Sequence, residues 1–175
     1  SYKNLSGKFL FLQLPLVVLQ IVVLIPMFGL VDRLRQLPLR QASKLLVDSK
    51  MPGETISMVG IKKPSIHFYT ENIVIYEGNT SRNLVNLAER LSSEVRQGWS
   101  GKAINKPNAS PTTLIVIDDG TSQLPHWRGL SPKVLATFGI YKVWRVDRSI
   151  LNRRASQIIE SGVQSNWRIY KPERF

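Results

Sequence analysis

The chain has no cysteine and only two histidines, and its 12 acidic residues are half the number of its 24 lysines and arginines. Each shortage closes off some chemistry. Without cysteine there are no disulfides and no thiolate metal sites, and cysteine usage leaves the redox compartment undecided. His67 and His126 lie far apart and outside any HExxH or paired-ligand spacing. Each therefore reads as a packing or surface residue, and no metal or other cofactor is expected. Gly98-Trp99-Ser100-Gly101 is not the G-x-S-x-G elbow of serine hydrolases, and Gly101-Lys102-Ala103 lacks the rest of a phosphate-binding loop. The shortage of acid leaves a formal net charge of +12, which favours anionic partners. No aromatic-and-basic RNA signature and no zinc-finger spacing accompanies that charge, so nucleic acid is not expected among them.

Charge is also missing from one long stretch. Phe9 to Val31, FLFLQLPLVVLQIVVLIPMFGLV, contains no charged residue. At 1.5 Å rise per residue, a run of roughly 20 apolar residues crosses a hydrocarbon core of about 30 Å. A cleaved signal has a shorter apolar region and a small-residue cleavage site, whereas this run passes straight into Asp32-Arg33-Leu34-Arg35. Residues 1–31 are therefore expected to form a transmembrane helix, and the nearest anions become lipid headgroups. Pro15 and Pro26 are tolerable in a span, and Gln13 and Gln20, seven residues apart on one face, prefer another helix to lipid. With Ser1 in place of an initiator methionine and the apolar run still attached, the expectation is a piece of a longer membrane protein. Lys3 and Lys8 before the span and Arg33, Arg35, Arg40 and Lys44 after it would place the C-terminal part of a lone span in the cytoplasm.

Beyond the span, 32–175 leaves about 140 residues, enough for one domain with its own core. The spacing of Leu34, Leu37, Ala42, Leu45 and Leu46 predicts an amphipathic helix over 32–50, broken by Pro38. A strand is expected over 55–61, a short helix from Pro64 carrying Ile66, Phe68 and Tyr69, and a second strand over 72–76. Thr80 or Ser81 can cap a helix to Arg96 whose stripe is Leu84, Leu87, Ala88, Leu91 and Val95. After a loop over 98–111, Thr112 to Ile117 reads as a buried strand. Ser131-Pro132 is expected to start a short helix through Thr137, Tyr141 to Val146 an edge or late strand, and Ser149 to cap a last helix to Ser161. A basic tail follows from Trp167. Helices alternating with strands predict a small, mostly parallel α/β sheet.

Asp118-Asp119-Gly120 follows the central strand, where two carboxylates can hold a cation or a sugar hydroxyl, but Asp-Gly there is also an ordinary turn, the preferred reading. From Tyr141 on, Lys142, Arg145, Arg148, Arg153, Arg154, Arg168, Lys171 and Arg174 outnumber Asp147, Glu160 and Glu173, which suits either an anionic membrane surface or a solvated face.

A last span, an Arg-rich helix, a strand ending Val59-Gly60 and then Lys63-Pro64-Ser65-Ile66-His67-Phe68-Tyr69 together present a P-S-x-x-F-Y signature. This arrangement resembles the C-terminal part of the polyprenyl-phosphate-dependent membrane glycosyltransferases of the GT-C type, which include aminoarabinose transferases and protein mannosyltransferases. The resemblance implies an extracytoplasmic α/β domain in the cell membrane, with Pro64, Ser65, Phe68 and Tyr69 as structural motif residues. It implies a partner in a polyprenyl-phosphate-linked sugar, and a catalytic carboxylate in an N-terminal loop that these residues do not contain. Lys62, Lys63 and His67 are then the expected contacts to the donor phosphate or to lipid, and no catalytic residue is expected within 1–175. The competing reading is a non-enzymatic, single-span protein whose basic domain binds a partner or an anionic lipid surface.

Overall fold

The computed structural model describes residues 3–96 and 110–168. Most of the expected loop over 98–111, including Gly98 to Ala103, and the tail from 169 lie outside the described residues, as does the Val95 side chain. The chain divides into two compact units, Ser1–Pro38 and Leu39–Phe175.

The first unit is one helix, α1, over Lys3–Arg35. Its segment Gln13–Val31 is, among the described residues, the one helix long and apolar enough to cross a membrane, and none of it is buried. A helix apolar all round finds matching surroundings in a bilayer, where its own hydrogen bonds satisfy the backbone. Pro15 and Pro26 lie within the unbroken helix. The break expected at Pro38 falls instead at Gln36, and α2 runs over Leu37–Ser49. Pro38 sits in the first turn of α2, where a missing N–H forfeits no intrahelical bond.

The second unit is built on five strands: β1 (Ile56–Val59), β2 (Val74–Glu77), β3 (Thr112–Asp118), β4 (Lys133–Phe138) and β5 (Tyr141–Asp147). Their order across the sheet is β2-β1-β3-β5-β4. β1 is parallel to both β2 and β3, whereas β5 is antiparallel to both β3 and β4. Four strands thus run one way and β5 alone against them, so the expected α/β sheet is mostly but not purely parallel. The parallel returns are carried by α3 (Ser65–Thr70) and α4 (Ser81–Arg96), as such crossovers require. The reversal is made by a tight hairpin at Gly139-Ile140, with Gly139 at φ +57° supplying the left-handed residue that a two-residue turn needs.

Alternation along β3 divides the core. Ile115 and Ile117 join Leu84, Leu87 and Leu91 of α4 and Leu151 and Ala155 of α7 (Arg148–Glu160) on one face. Leu114 and Val116 join Leu39, Ala42 and Leu46 of α2 and Ile66 of α3 on the other. The result is a helix-sheet-helix sandwich with β3 buried on both sides. Leu84 and Leu87 are fully buried, and each such side chain contributes about 2 kcal/mol of transfer free energy.

Three expectations are corrected. Residues 133–138 are strand β4 and not a helix continuing from Ser131-Pro132. Val134, Thr137 and Phe138 favour a pleated surface, and the hairpin to β5 decides the matter. The stretch before it, expected to be irregular over 121–132, holds two short helices, α5 (Asp119–Ser122) and α6 (Pro125–Arg128), the second with proline at its start. Of the two alternatives for 141–146, β5 is the late strand, the last in the chain, and lies inside the sheet. Asp147, not Ser149, caps α7: its carboxylate accepts the Ser149 N–H at 2.8 Å, and its pKa is lowered first by the Ser149 side chain and then by that backbone bond. At α4, Thr80 is the cap, since Asn83 N–H lies 3.4 Å from its hydroxyl and the Asn83 side chain returns a contact to the Thr80 N–H at 3.2 Å.

Candidate functional site at the carboxyl end of the sheet

Arg145 stands opposite Leu114 near the start of β3 and donates to the Ser49 carbonyl at the end of α2. Helix α2 therefore ends at the amino end of the parallel strands and begins toward their carboxyl end. At that carboxyl end β1 continues into α3 on one face, while β3 continues into α5 and α6, whose Trp127 packs on the other. Adjacent parallel strands that depart to opposite faces leave a crevice beyond their carboxyl ends, the usual ligand position in open α/β sheets.

Gly60 and Asp118 meet at that position. Gly60 has φ +85°, and a Cβ there would overlap the Asp118 carboxylate and lie 2.5 Å from Thr121 Oγ1, so only glycine fits. Asp118 is buried, and its two oxygens accept backbone N–H groups, from Thr121 at 2.9 Å and from Ile61 at 3.3 Å. It thus starts α5 and pins the turn after β1. Asp119 points elsewhere. It is exposed and pairs with Lys142 at 2.6 Å, a contact that holds its carboxyl below the ordinary range. The two acids do not converge, which supports the turn reading over the cation reading. Among the described residues no group of three or more histidine, cysteine or acidic side chains gathers. His126 and Trp127 both donate to the Asn79 carbonyl, at 2.6 and 2.9 Å, fixing α6 to the turn after β2.

Lys62 and Lys63 occupy the turn between β1 and α3, and both are exposed. Among the described residues neither makes an ion pair. The backbone beneath them is held by Tyr76, whose hydroxyl lies 3.4 Å from the Lys63 carbonyl and 3.5 Å from that of Pro64. Burial raises the Tyr76 pKa, so this phenol stays protonated and able to donate. His67 is turned away to its own helix end. Its Nδ1 lies 2.5 Å from the Asn72 carbonyl, which can only accept, so Nδ1 carries the proton and Nε2 is left for other partners. Asn72 is in turn bonded by Lys50.

The motif residues divide unexpectedly. Helix α3 has only six residues, so a single pair, Ile66 and Thr70, faces the sheet. Phe68 lies on the opposite side and is 78% exposed, so it is not part of the core. Pro64 is exposed, and Ser65 and Tyr69 are half-buried. The Tyr69 ring stands edge-on to Phe68 at 5.8 Å, with the Arg40 guanidinium 5.6 Å from its centroid. The long-range contacts of this site, Gly60 with Asp118 and Tyr76 with Lys63, escaped sequence reasoning. Only the Asp-x-x-Thr spacing of a helix cap at Asp118 hinted at the first.

In the basic run from Tyr141, Arg153 and Arg168 are exposed, while half-buried Lys142, Arg145 and Arg148 are partnered within the domain. Arg145 bonds Glu54, Lys142 bonds Asp119 and Ser122, and Arg148 bonds Thr55. Lys171 and Arg174 lie outside the described residues.

No curated protein and no solved structure matches the chain. Residues 49–162, roughly two-thirds of its length, match the family described as cyanobacterial RgtA-type glycosyltransferase, C-terminal domain. The matched region runs from the end of α2 through α7 and so takes in the whole sheet with α3, α4 and α7, and the non-enzymatic single-span reading is not favoured. The chain belongs to the RgtA-type glycosyltransferases, within the GT-C family, and its sheet domain is their C-terminal domain.

Proposed function

We propose that this domain serves a membrane glycosyltransferase that moves a sugar from a polyprenyl-phosphate carrier to an acceptor, with Lys62 and Lys63 contacting the donor phosphate. The observation that carries the reading is the displayed lysine pair. It stands on the carboxyl edge of the sheet, on the side where α2 begins, and no described acid pairs with it. Two ammonium groups on a turn tied down by Tyr76 suit a phosphate, and the family supplies the sugar chemistry. The role is support and not bond breaking. The catalytic carboxylate belongs to a membrane region outside these residues, the sheet domain lies on the extracytoplasmic side of the cell membrane, and it caps the active site there. His67, with Nδ1 held by Asn72, has Nε2 left as a secondary contact.

The test is the Lys62→Ala, Lys63→Ala double variant in the full-length enzyme, assayed as polyprenyl phosphate released from lipid-linked sugar in membranes. Loss of one charge-assisted contact is worth about 1.5 kcal/mol or more, so release at low donor concentration should fall about tenfold with expression unchanged. Undiminished release would leave the lysines without a part in donor binding. His67→Ala should have a smaller effect.

A further inference from the structure

A single exposed phenylalanine is unremarkable on a protein surface. Phe68 differs in its surroundings and in its tether. Tyr69 lies beside it, and Ile61, 40% exposed, is on the turn that leads into α3. Arg40, on α2, packs on the Tyr69 ring and also reaches its hydroxyl at 3.3 Å. Arg40 follows Val31, the last residue of the apolar segment, by only nine residues. That stretch spans about 14 Å as helix and at most about 30 Å fully extended. The aromatic pair is therefore fastened to Arg40, a residue only nine positions beyond the end of the apolar segment. Over α2 from Arg40 and over 61–71, the exposed charged residues are basic on balance, with Arg40, Lys44, Lys62 and Lys63 against Asp48 and Glu71. Aromatic rings flanked by lysine and arginine near the end of a span are the composition that settles at a membrane interface.

We propose that α3 is an interfacial foot. Phe68 enters the boundary between headgroups and acyl chains of the bilayer that α1 crosses, Tyr69 stands at headgroup level, and the surrounding cations lie against anionic lipid. The partner is the lipid surface, and the proposal needs α1 in a membrane but does not rest on sugar transfer.

The absence of cysteine makes the experiment clean, because one introduced thiol takes the only label. The whole chain is placed in nanodiscs of phosphatidylcholine with phosphatidylglycerol, spin-labelled at Phe68→Cys, at Ile61→Cys, or at Val134→Cys on the far edge strand. Collisions with oxygen and with a water-soluble nickel chelate are then measured. Lipid contact predicts high oxygen and low nickel access at 68 and 61, with high nickel access at 134. Adding Phe68→Glu to the Ile61→Cys variant should raise nickel access at 61 several-fold. High nickel access at 68 and 61 would overturn the proposal in favour of water. Low access to both reagents would overturn it in favour of a protein partner, such as a second copy. If the labels report water while the lysine double variant still loses transfer, the foot fails and the donor-phosphate reading stands.

Discussion

The two ends of the sheet each hold an enclosed ion pair, but only the carboxyl end also displays a pair of solvated lysines. At the amino end, Glu54 is fully enclosed. Its carboxylate accepts the Thr112 hydroxyl at 2.7 Å, Arg145 Nε at 2.9 Å and Nη2 at 3.2 Å, and the Met51 N–H at 3.0 Å. Arg145 goes on to the end of α2, so one buried pair ties together α2, the approach to β1, β3 and β5. At the carboxyl end, Glu77 is also enclosed and pairs with Arg90 at 2.8 Å, but Lys62 and Lys63 stand in solvent and the pair of Asp119 with Lys142 has its acid 62% exposed. A buried pair cannot lose one member without stranding the other, whereas a solvated one can. Charge that closes the fold is thus found at both ends, and charge left open to partners is added at the carboxyl end.

The contrast breaks most sharply at Glu54. Glu54→Ala strands Arg145 and should cost about 3 kcal/mol, read as a lowered midpoint of thermal unfolding of the full chain in detergent. Trp127 and Trp144, both buried, report that unfolding through their fluorescence. A cost within 0.5 kcal/mol, about the size of an ordinary surface change, would remove the latch from the account.

At the carboxyl end the largest expected effect is Gly60→Ala. The positive φ alone costs about 1–2 kcal/mol, and the overlap with Asp118 adds to it. Pairing the change with Asp118→Ala should recover the steric part and leave the backbone part. Strict additivity of the two changes would show that they do not meet.

Acid sharpens the same comparison with a smaller effect. Burial pushes the Glu54 carboxyl up, but hydrogen bonds from Arg145, the Met51 N–H and Thr112 outweigh it, and the net pKa lies below the ordinary 4.5. A carboxyl lowered in the folded state stabilises fully above its unfolded value, and that contribution is lost as pH falls through the folded value. The wild-type chain should lose stability below pH 4.5, and Glu54→Gln should show a shallower acid slope over the same window. Equal slopes would mean that other carboxyls, Asp147 among them, govern the acid response.

The smallest change is expected at Phe68. With its ring 78% exposed, Phe68→Ala should move stability by no more than about 0.5 kcal/mol, where a core phenylalanine would cost about 3–5. A core-sized loss would show that the ring is covered in the folded chain.

What the sequence disclosed was whatever repeats along one element. Thr112 to Ile117 read as a strand because an apolar run bounded by turn residues has few other uses, and the stripe on α4 returned often enough to show which face it buries. The strand at 133–138 was missed because Ser-Pro signals a helix start, while the tertiary pairing of Val134 with Trp144 overrides it. Which of Ile66, Phe68 and Tyr69 is buried was not legible, because six residues hold fewer than two helical turns, too few for a period to single out the buried pair. The site itself was half legible. Its lysines could be found by their position beside the motif, but the latch joins residues 91 apart and the Ile61–Asp118 bond joins residues 57 apart, distances over which no local pattern speaks.

One irregularity at the outer rim bears on how the protein behaves in quantity. In β4, Val134 faces Trp144 and Ala136 faces Val143, which leaves Leu135 without a partner and puts a bulge in the outermost strand. A straight edge offers its unpaired amides as a template to the next molecule, and a bulge with lysine at its head spoils that template. Leu135 therefore helps to keep neighbouring copies from zipping together when they are crowded. Its deletion, by straightening the rim, would be felt first as precipitation during expression and only afterwards as any loss of folding.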